Sequence, residues 1–131
     1  MRLFIGYKYS RVEDKQSLVR DLLQLAEGLE SGGHQTFILG RDVQKWEGSV
    51  PLWKTFPAIF GNILKSDVFI AYITSNVKST GLTIEKVLAS LLGKKVILVY
   101  RNDVQEPKAY TDRITFSDVN NATKQILEKL A

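Results

Sequence analysis

The chain has 131 residues, 18 basic and 14 acidic for a net charge of +4, and no cysteine. That length buries a real core without staples, and the missing Cys excludes a disulfide framework, a thiolate zinc site and a cysteine nucleophile, and suits a reducing, cytoplasmic compartment. The basic residues, among them Lys45, Lys65, Lys94, Lys95 and Arg101, form no block, and no apolar run approaches the roughly 18 residues of a membrane span, so neither a nucleic-acid polymer nor a membrane is an expected partner.

In chain order, RLFIG (2–6) opens as a strand whose apolar residues are continuous rather than alternating, as in strands covered on both faces. Leu18, Leu22, Leu25, Ala26 and Leu29 then recur at helical spacing, and Gly32-Gly33 ends that helix. QTFILG (35–40) is the second strand; a long connection, 40–55, leads to a helix carrying Phe56, Ile59, Phe60, Ile63 and Leu64, with Pro57 near its start. DVFIAYIT (67–74) is the third strand, followed by a helix marked by Ile84, Val87, Leu88, Leu91 and Leu92 and closed by Gly93. KKVILVY (94–100), a second long connection (101–112) and RITF (113–116) precede a last helix with Val119, Ala122, Ile126 and Leu130, which Ser117-Asp118 can cap.

This alternation predicts one α/β domain over 1–131: three layers, flavodoxin-like, with a five-stranded, mainly parallel sheet in the order 2-1-3-4-5. Ligands in such sheets bind beyond the carboxyl ends of the strands. The connections placed there are 6–11, 40–55, 74–81 and 101–112.

The stretch STGLTIEKVLA (79–89) lies at that edge and puts Glu85 among apolar residues at the start of a helix. Position and spacing leave two readings. Glu85 is a carboxylate favoured by the helix dipole, with Thr80 or Thr83 as the cap, or it is a reactive group at the mouth of the sheet. As an edge carboxylate its removal would cost little stability beyond the dipole contribution. Ser79, Thr80 and Gly81 offer hydroxyls and backbone N–H groups to an anion, or are a turn and a cap. Asp42, Trp46, Glu47 and Trp53 lie in the 40–55 connection, where a carboxylate could serve as an acid and a Trp could stack on a base, or each is an ordinary loop or interface residue. His34 has no second His or Cys at ligand spacing and reads as structural, so no metal or cofactor is expected.

The run from Ser66 to Tyr100 resembles the nucleoside 2-deoxyribosyltransferase family and its relatives, the 2'-deoxynucleoside 5'-phosphate N-hydrolases. The resemblance rests on Ser66-Asp67 before the third strand, Gly81-x-x-x-Glu85 opening a helix, Ala89, and Gly93-Lys94-Lys95 before the next strand, and extends loosely to Gly6 and to the Gly33-His34 step. It implies a small nucleoside or nucleotide substrate, with Glu85 as nucleophile on the anomeric carbon and a covalent deoxyribosyl intermediate resolved by water or another base. It also implies that Ser79 helps hold a 5'-phosphate, a role shared along the N-terminal loop by Gly6 and by Tyr7, Lys8, Tyr9, Ser10 or Arg11. The family's helix acid falls at Ile59, with Asn62 the nearest polar side chain, so protonation of the leaving base passes to Asp42, Glu47, Asp67 or a residue of a partner subunit. A homodimer, or a multiple of one, is expected from the resemblance and from the aromatic-rich VPLWKTFPAIF (50–60).

Two other readings compete. Residues 4–33 loosely resemble the opening of Toll/interleukin-receptor domains, some of which cleave the glycosidic bond of NAD, but lack their Trp-Cys-x-x-Glu pattern. A non-catalytic nucleotide-binding or interaction module is the third.

Overall fold

The computed structural model describes residues 1–8, 15–44, 46, 52–75, 80–104 and 112–131. Five strands, β1 (Arg2–Tyr7), β2 (Gln35–Ile38), β3 (Val68–Ile73), β4 (Lys95–Arg101) and β5 (Arg113–Phe116), form one sheet in the order β2-β1-β3-β4-β5. All four pairings are parallel. Helices α1 (Lys15–Ser31), α2 (Leu52–Lys65), α3 (Thr80–Leu91) and α4 (Val119–Leu130) cover it on both sides, so the expected flavodoxin-like architecture is the one observed.

The pleat sorts the strand residues into two cores. Leu3, Ile5, Val68, Ile70, Tyr72, Ile97, Val99, Ile114 and Phe116 face α1 and α4, where Leu18, Leu22, Leu25, Ala26, Leu29, Val119, Ala122 and Ile126 are buried against them. Phe4, Phe69, Ala71, Val96 and Leu98 face the other way, toward Ile59 and Ile63 of α2 and Leu82 and Ala89 of α3. Both sides of the middle strands are dry, which is why their sequences run apolar without alternation.

Helix ends follow local chemistry. Gly33 and Gly93, at φ 91° and 73°, sit just beyond α1 and α3, and their N–H groups return to Glu30 O and Ser90 O. Asp118 caps α4 by accepting the Asn121 N–H at 2.8 Å.

Three local expectations are corrected. Pro57 is the sixth residue of α2, not its start; it lies past the first turn, so it removes one intrahelical hydrogen bond. The 40–55 connection is not continuous loop: it begins with a π-helical turn, Gly40–Gln44, and its last residues belong to α2. Of the apolar stripes on α2 and α3, Phe56, Phe60, Leu64, Ile84, Val87 and Leu91 are exposed rather than packed on the sheet.

Candidate functional site

Glu85 stands in the second turn of α3, not in the loop before it. Leu82, Glu85 and Ala89 fall on one stripe of that helix, and all three are buried, Glu85 at 7% exposure. The edge-exposed carboxylate expected from sequence is therefore corrected to a buried one. Thr83 is inside the helix and exposed, so it cannot cap it, and Thr80 and Gly81 form its first turn. Side chains on a helix lean toward its N-terminus, which aims the Glu85 carboxyl up toward the carboxyl edge of the sheet.

Small residues make room for it. Gly6 of β1 pairs with Ala71 of β3, and both present the α2/α3 face beneath α3. A Cβ on Gly6 would stand 2.5 Å from Phe69 Cζ and 2.9 Å from Leu82 Cδ1. Only glycine lets Leu82, in the first turn of α3, settle this close to β1, and Glu85 follows on the same helix stripe one turn later.

No hydrogen bond or ion pair joins the Glu85 carboxyl to the described residues. Burial raises its pKa to about 8. A buried carboxyl with no hydrogen bond to the described residues is a cost to folding, and such groups concentrate where chemistry is done.

The other side of the β1 carboxyl end is built from Tyr7, Gly40 and Trp46. The Tyr7 hydroxyl accepts the Gly40 N–H at 2.9 Å, and its ring lies 6.1 Å from that of Trp46. The Trp46 N–H returns to Gly40 O at 2.8 Å, and its backbone adopts φ 64°, a left-handed conformation that a bulky residue holds at a cost of about 1–3 kcal/mol. Tyr7 and Trp46 pack against the α1/α4 core, so they flank the end of β1 from the face opposite Glu85. Lys8 continues from Tyr7, and its ammonium nitrogen is enclosed without a hydrogen-bond partner among the described residues. A charge so placed is stable only with an anion to face.

Asp42 and Asp67 are occupied elsewhere. One Asp42 oxygen accepts the Ile38 N–H at 2.8 Å, Arg41 pairs with the carboxylate at 2.9 Å, and the residue borders a small cleft with Arg2, Thr36, Asn62 and Lys65. Those neighbours come from the amino ends of β1 and β2 and the last turns of α2. Asp67 precedes β3 and accepts the Arg2 N–H at 2.8 Å, so the whole strand, roughly 20 Å at 3.3 Å per residue, separates it from the edge where α3 begins. Ile59 is core. His34 contacts the N-terminal amine through Nδ1 at 3.3 Å. Tyr9, Ser10, Arg11, Glu47 and Ser79 lie outside the described residues, as do the side chains of Trp53, Thr80 and Gly81. Among the described residues no group of three or more His, Asp or Glu is gathered as a metal site would require, and no helix is long and apolar enough to cross a membrane.

With the geometry established, the comparisons with known proteins become informative. A CMP N-glycosidase from Clostridium botulinum superposes with a TM-score of 0.69 at 20% identity, over 96% of this chain and 97% of its own. A 2-deoxyribosyltransferase from Bacillus psychrosaccharolyticus does so with a TM-score of 0.66 at 22% identity, over 97% and 96%. The fold is that of the nucleoside 2-deoxyribosyltransferase-like proteins. A conserved protein from Enterococcus faecalis V583 shares it too, with a TM-score of 0.68 at 12% identity over 98% of both chains. No protein-family model matches the sequence, and no curated protein matches it.

What sequence reasoning missed here is the small floor. The resemblance points to Gly6 as part of the N-terminal loop and to Ala71 not at all; their joint signal is a shared register, visible only once β1 and β3 are paired.

Proposed function

We propose that the protein cleaves or transfers at the N-glycosidic bond of a 2'-deoxynucleoside or its 5'-monophosphate, with Glu85 as the nucleophile. The observation that carries this reading is the buried Glu85 carboxyl, which bonds to none of the described residues, in the second turn of the helix that follows the carboxyl end of β3. The N-glycosidic chemistry named for two of the structural neighbours supports the same bond class.

In the ionised form a Glu85 oxygen attacks C1' as the bond from C1' to the base nitrogen breaks. The bonding pair leaves with the base, which takes up a proton, and the sugar remains as an ester of Glu85. Water then releases free sugar, or a second base nitrogen attacks C1' to give a new nucleoside; either step returns the carboxylate. Oxocarbenium character at C1' develops against a carboxylate that burial shields in large part from water, so its field is stronger where the positive charge appears. Burial disfavours the charged form until the substrate brings that positive centre, which ties ionisation of Glu85 to substrate binding. Ser79, Thr80 and Gly81 hold the sugar or its 5'-phosphate, and the enclosed ammonium of Lys8 suits a phosphate better than a hydroxyl.

The exposed apolar row on α2 and α3, with Phe56 and Phe60 stacked at 6.3 Å, supports a homodimer or a multiple of it, with Glu47 or a residue of the partner subunit as the acid for the leaving base. Light scattering at micromolar protein should return at least a dimer mass, and Phe60→Asp should return a folded monomer.

The deciding experiment incubates the protein with deoxynucleosides, their 5'-monophosphates and NAD and follows free base. Release from deoxy substrates, abolished in Glu85→Gln, with a sugar adduct on Glu85 trapped by a slow 2-fluoro substrate, is the expected result. Full activity of Glu85→Gln removes the nucleophile. Release from NAD alone transfers the reading to a NAD glycohydrolase, and release from nothing leaves a binding module.

A further inference from the structure

A lysine at the end of a strand ordinarily lays its methylene stem along the protein and holds its ammonium in water. Lys8 does the reverse. The residue is half-buried, yet its Nζ is enclosed, and it is the one enclosed side-chain nitrogen or oxygen that lacks a hydrogen-bond partner among the described residues. An ammonium has three N–H groups to place and no acceptor of its own, so this arrangement costs folding energy until an anion arrives.

The pleat fixes the side of the sheet on which that anion would sit. Phe4 lies in the α2/α3 core and a Cβ on Gly6 would point at Leu82 of α3, while Tyr7 packs against the α1/α4 core. Alternation past Tyr7 sends Lys8 off the end of β1 on the side of Phe4 and Gly6, the side that also carries Glu85. The two groups do not neutralise each other. Lys8 has no partner among the described residues, and burial raises the Glu85 pKa with no cation to oppose it. One face of the sheet edge therefore holds an enclosed cation and, apart from it, a buried carboxyl.

A substrate that satisfies both must bring a fixed negative charge to one and a developing positive charge to the other, joined by a neutral span. A free nucleoside brings only the second. We infer that the substrate at this edge is the 5'-monophosphate rather than the free nucleoside, and that Lys8 discriminates between them, its ammonium donating to phosphate oxygens while C1' faces Glu85. The need for an anion is argued from Lys8 itself; the choice of a nucleoside as its carrier rests on the N-glycosidic reading. Hydrogen bonds between two charged groups are the strong kind, and enclosure spares this one most of the screening by salt. Lys8 takes no part in bond breaking: it holds the remote end of the substrate and so positions the sugar.

Glu85→Gln serves as a background without turnover, in which the four common 2'-deoxynucleoside 5'-monophosphates are titrated calorimetrically beside their nucleosides. The tightest monophosphate should bind about tenfold or more tighter than its own nucleoside. Adding Lys8→Met or Lys8→Gln should erase that margin, and Lys8→Arg should keep part of it. With Glu85 in place, inorganic phosphate should raise the Tm, and should fail to in Lys8→Met. Without phosphate, Lys8→Met should melt no lower than the unaltered protein, because an enclosed charge has gone; a clearly lower Tm would give Lys8 a structural partner and overturn the inference. Equal affinity for a nucleoside and its monophosphate overturns it, as does a margin that survives the loss of Lys8. Base release from free nucleosides that depends on Glu85, with no such margin, keeps the glycosidic reading and sinks this inference alone. If no nucleoside or nucleotide binds while phosphate still protects through Lys8, the substrate class falls together with the glycosidic reading and only an anion site remains.

Discussion

The two faces of this sheet are built from the same strands, yet they treat their helices differently. On the α1/α4 face, eight helix residues lock into the core, and Leu23 is the one large apolar side chain that α1 or α4 leaves exposed among the described residues. On the α2/α3 face four helix residues make the core, six large apolar side chains stay exposed, and a carboxyl is buried in their midst. The first face is packed shut by its own helices. The second leaves an apolar row exposed and a buried acid with no hydrogen bond to the described residues. Stability is concentrated on one side of the sheet and unfinished chemistry on the other.

The largest test of that contrast is Glu85→Gln. Base release should fall on the order of a thousandfold or more, while the folded state should gain stability at neutral pH. The sign follows from the raised pKa: between the ordinary 4.5 and about 8 the unfolded chain loses the Glu85 proton and the folded chain keeps it. Stability of the unaltered protein should therefore be full below pH 4.5 and decline as pH rises toward 8, with a slope approaching about 1.4 kcal/mol per pH unit from this group. Urea melts across that range should show the decline, and Glu85→Gln should lack it. The kcat/KM profile should rise through the same region, because the nucleophile must be ionised.

Leu25→Ala, on the complete face, should do the reverse. It empties a fully buried position and should cost about 2–5 kcal/mol in denaturant melts, with the activity of the folded fraction retained.

Gly6→Ala probes the seam between strand and site. The added methyl must push Leu82 or Phe69 aside, at about 1–3 kcal/mol, and in lifting the first turn of α3 it should let water reach Glu85. The expected signature is a lower kcat together with a rising limb of the kcat/KM profile displaced toward ordinary carboxylate pKa values. A stability loss with an unmoved limb would assign Gly6 to packing alone.

Asp67→Asn should give the smallest effect. The residue sits at the far edge and accepts one exposed backbone N–H, so the change should cost about 1 kcal/mol or less and leave base release within about twofold. A large loss of kcat would bring Asp67 back as the acid for the leaving base.

The sequence by itself determined the five strands, the four helices, their order, the stops at Gly33 and Gly93 and the N-terminal cap at Asp118, because each depends on contacts within a few residues: apolar runs, i to i+4 spacing, a left-handed turn, a cap. It also singled out Glu85, through its spacing from Gly81 and its place after the third strand. Tertiary structure alone decided that Glu85 is buried, since it shares with Leu82 and Ala89 the stripe that α3 lays against the sheet. It decided that Asp67 and Glu85 stand at opposite edges, although only 18 residues separate them, because a strand and a helix intervene. And it decided which apolar residues of α2 and α3 face the sheet, because periodicity defines a stripe while the width of the sheet beneath sets how much of that stripe can be covered.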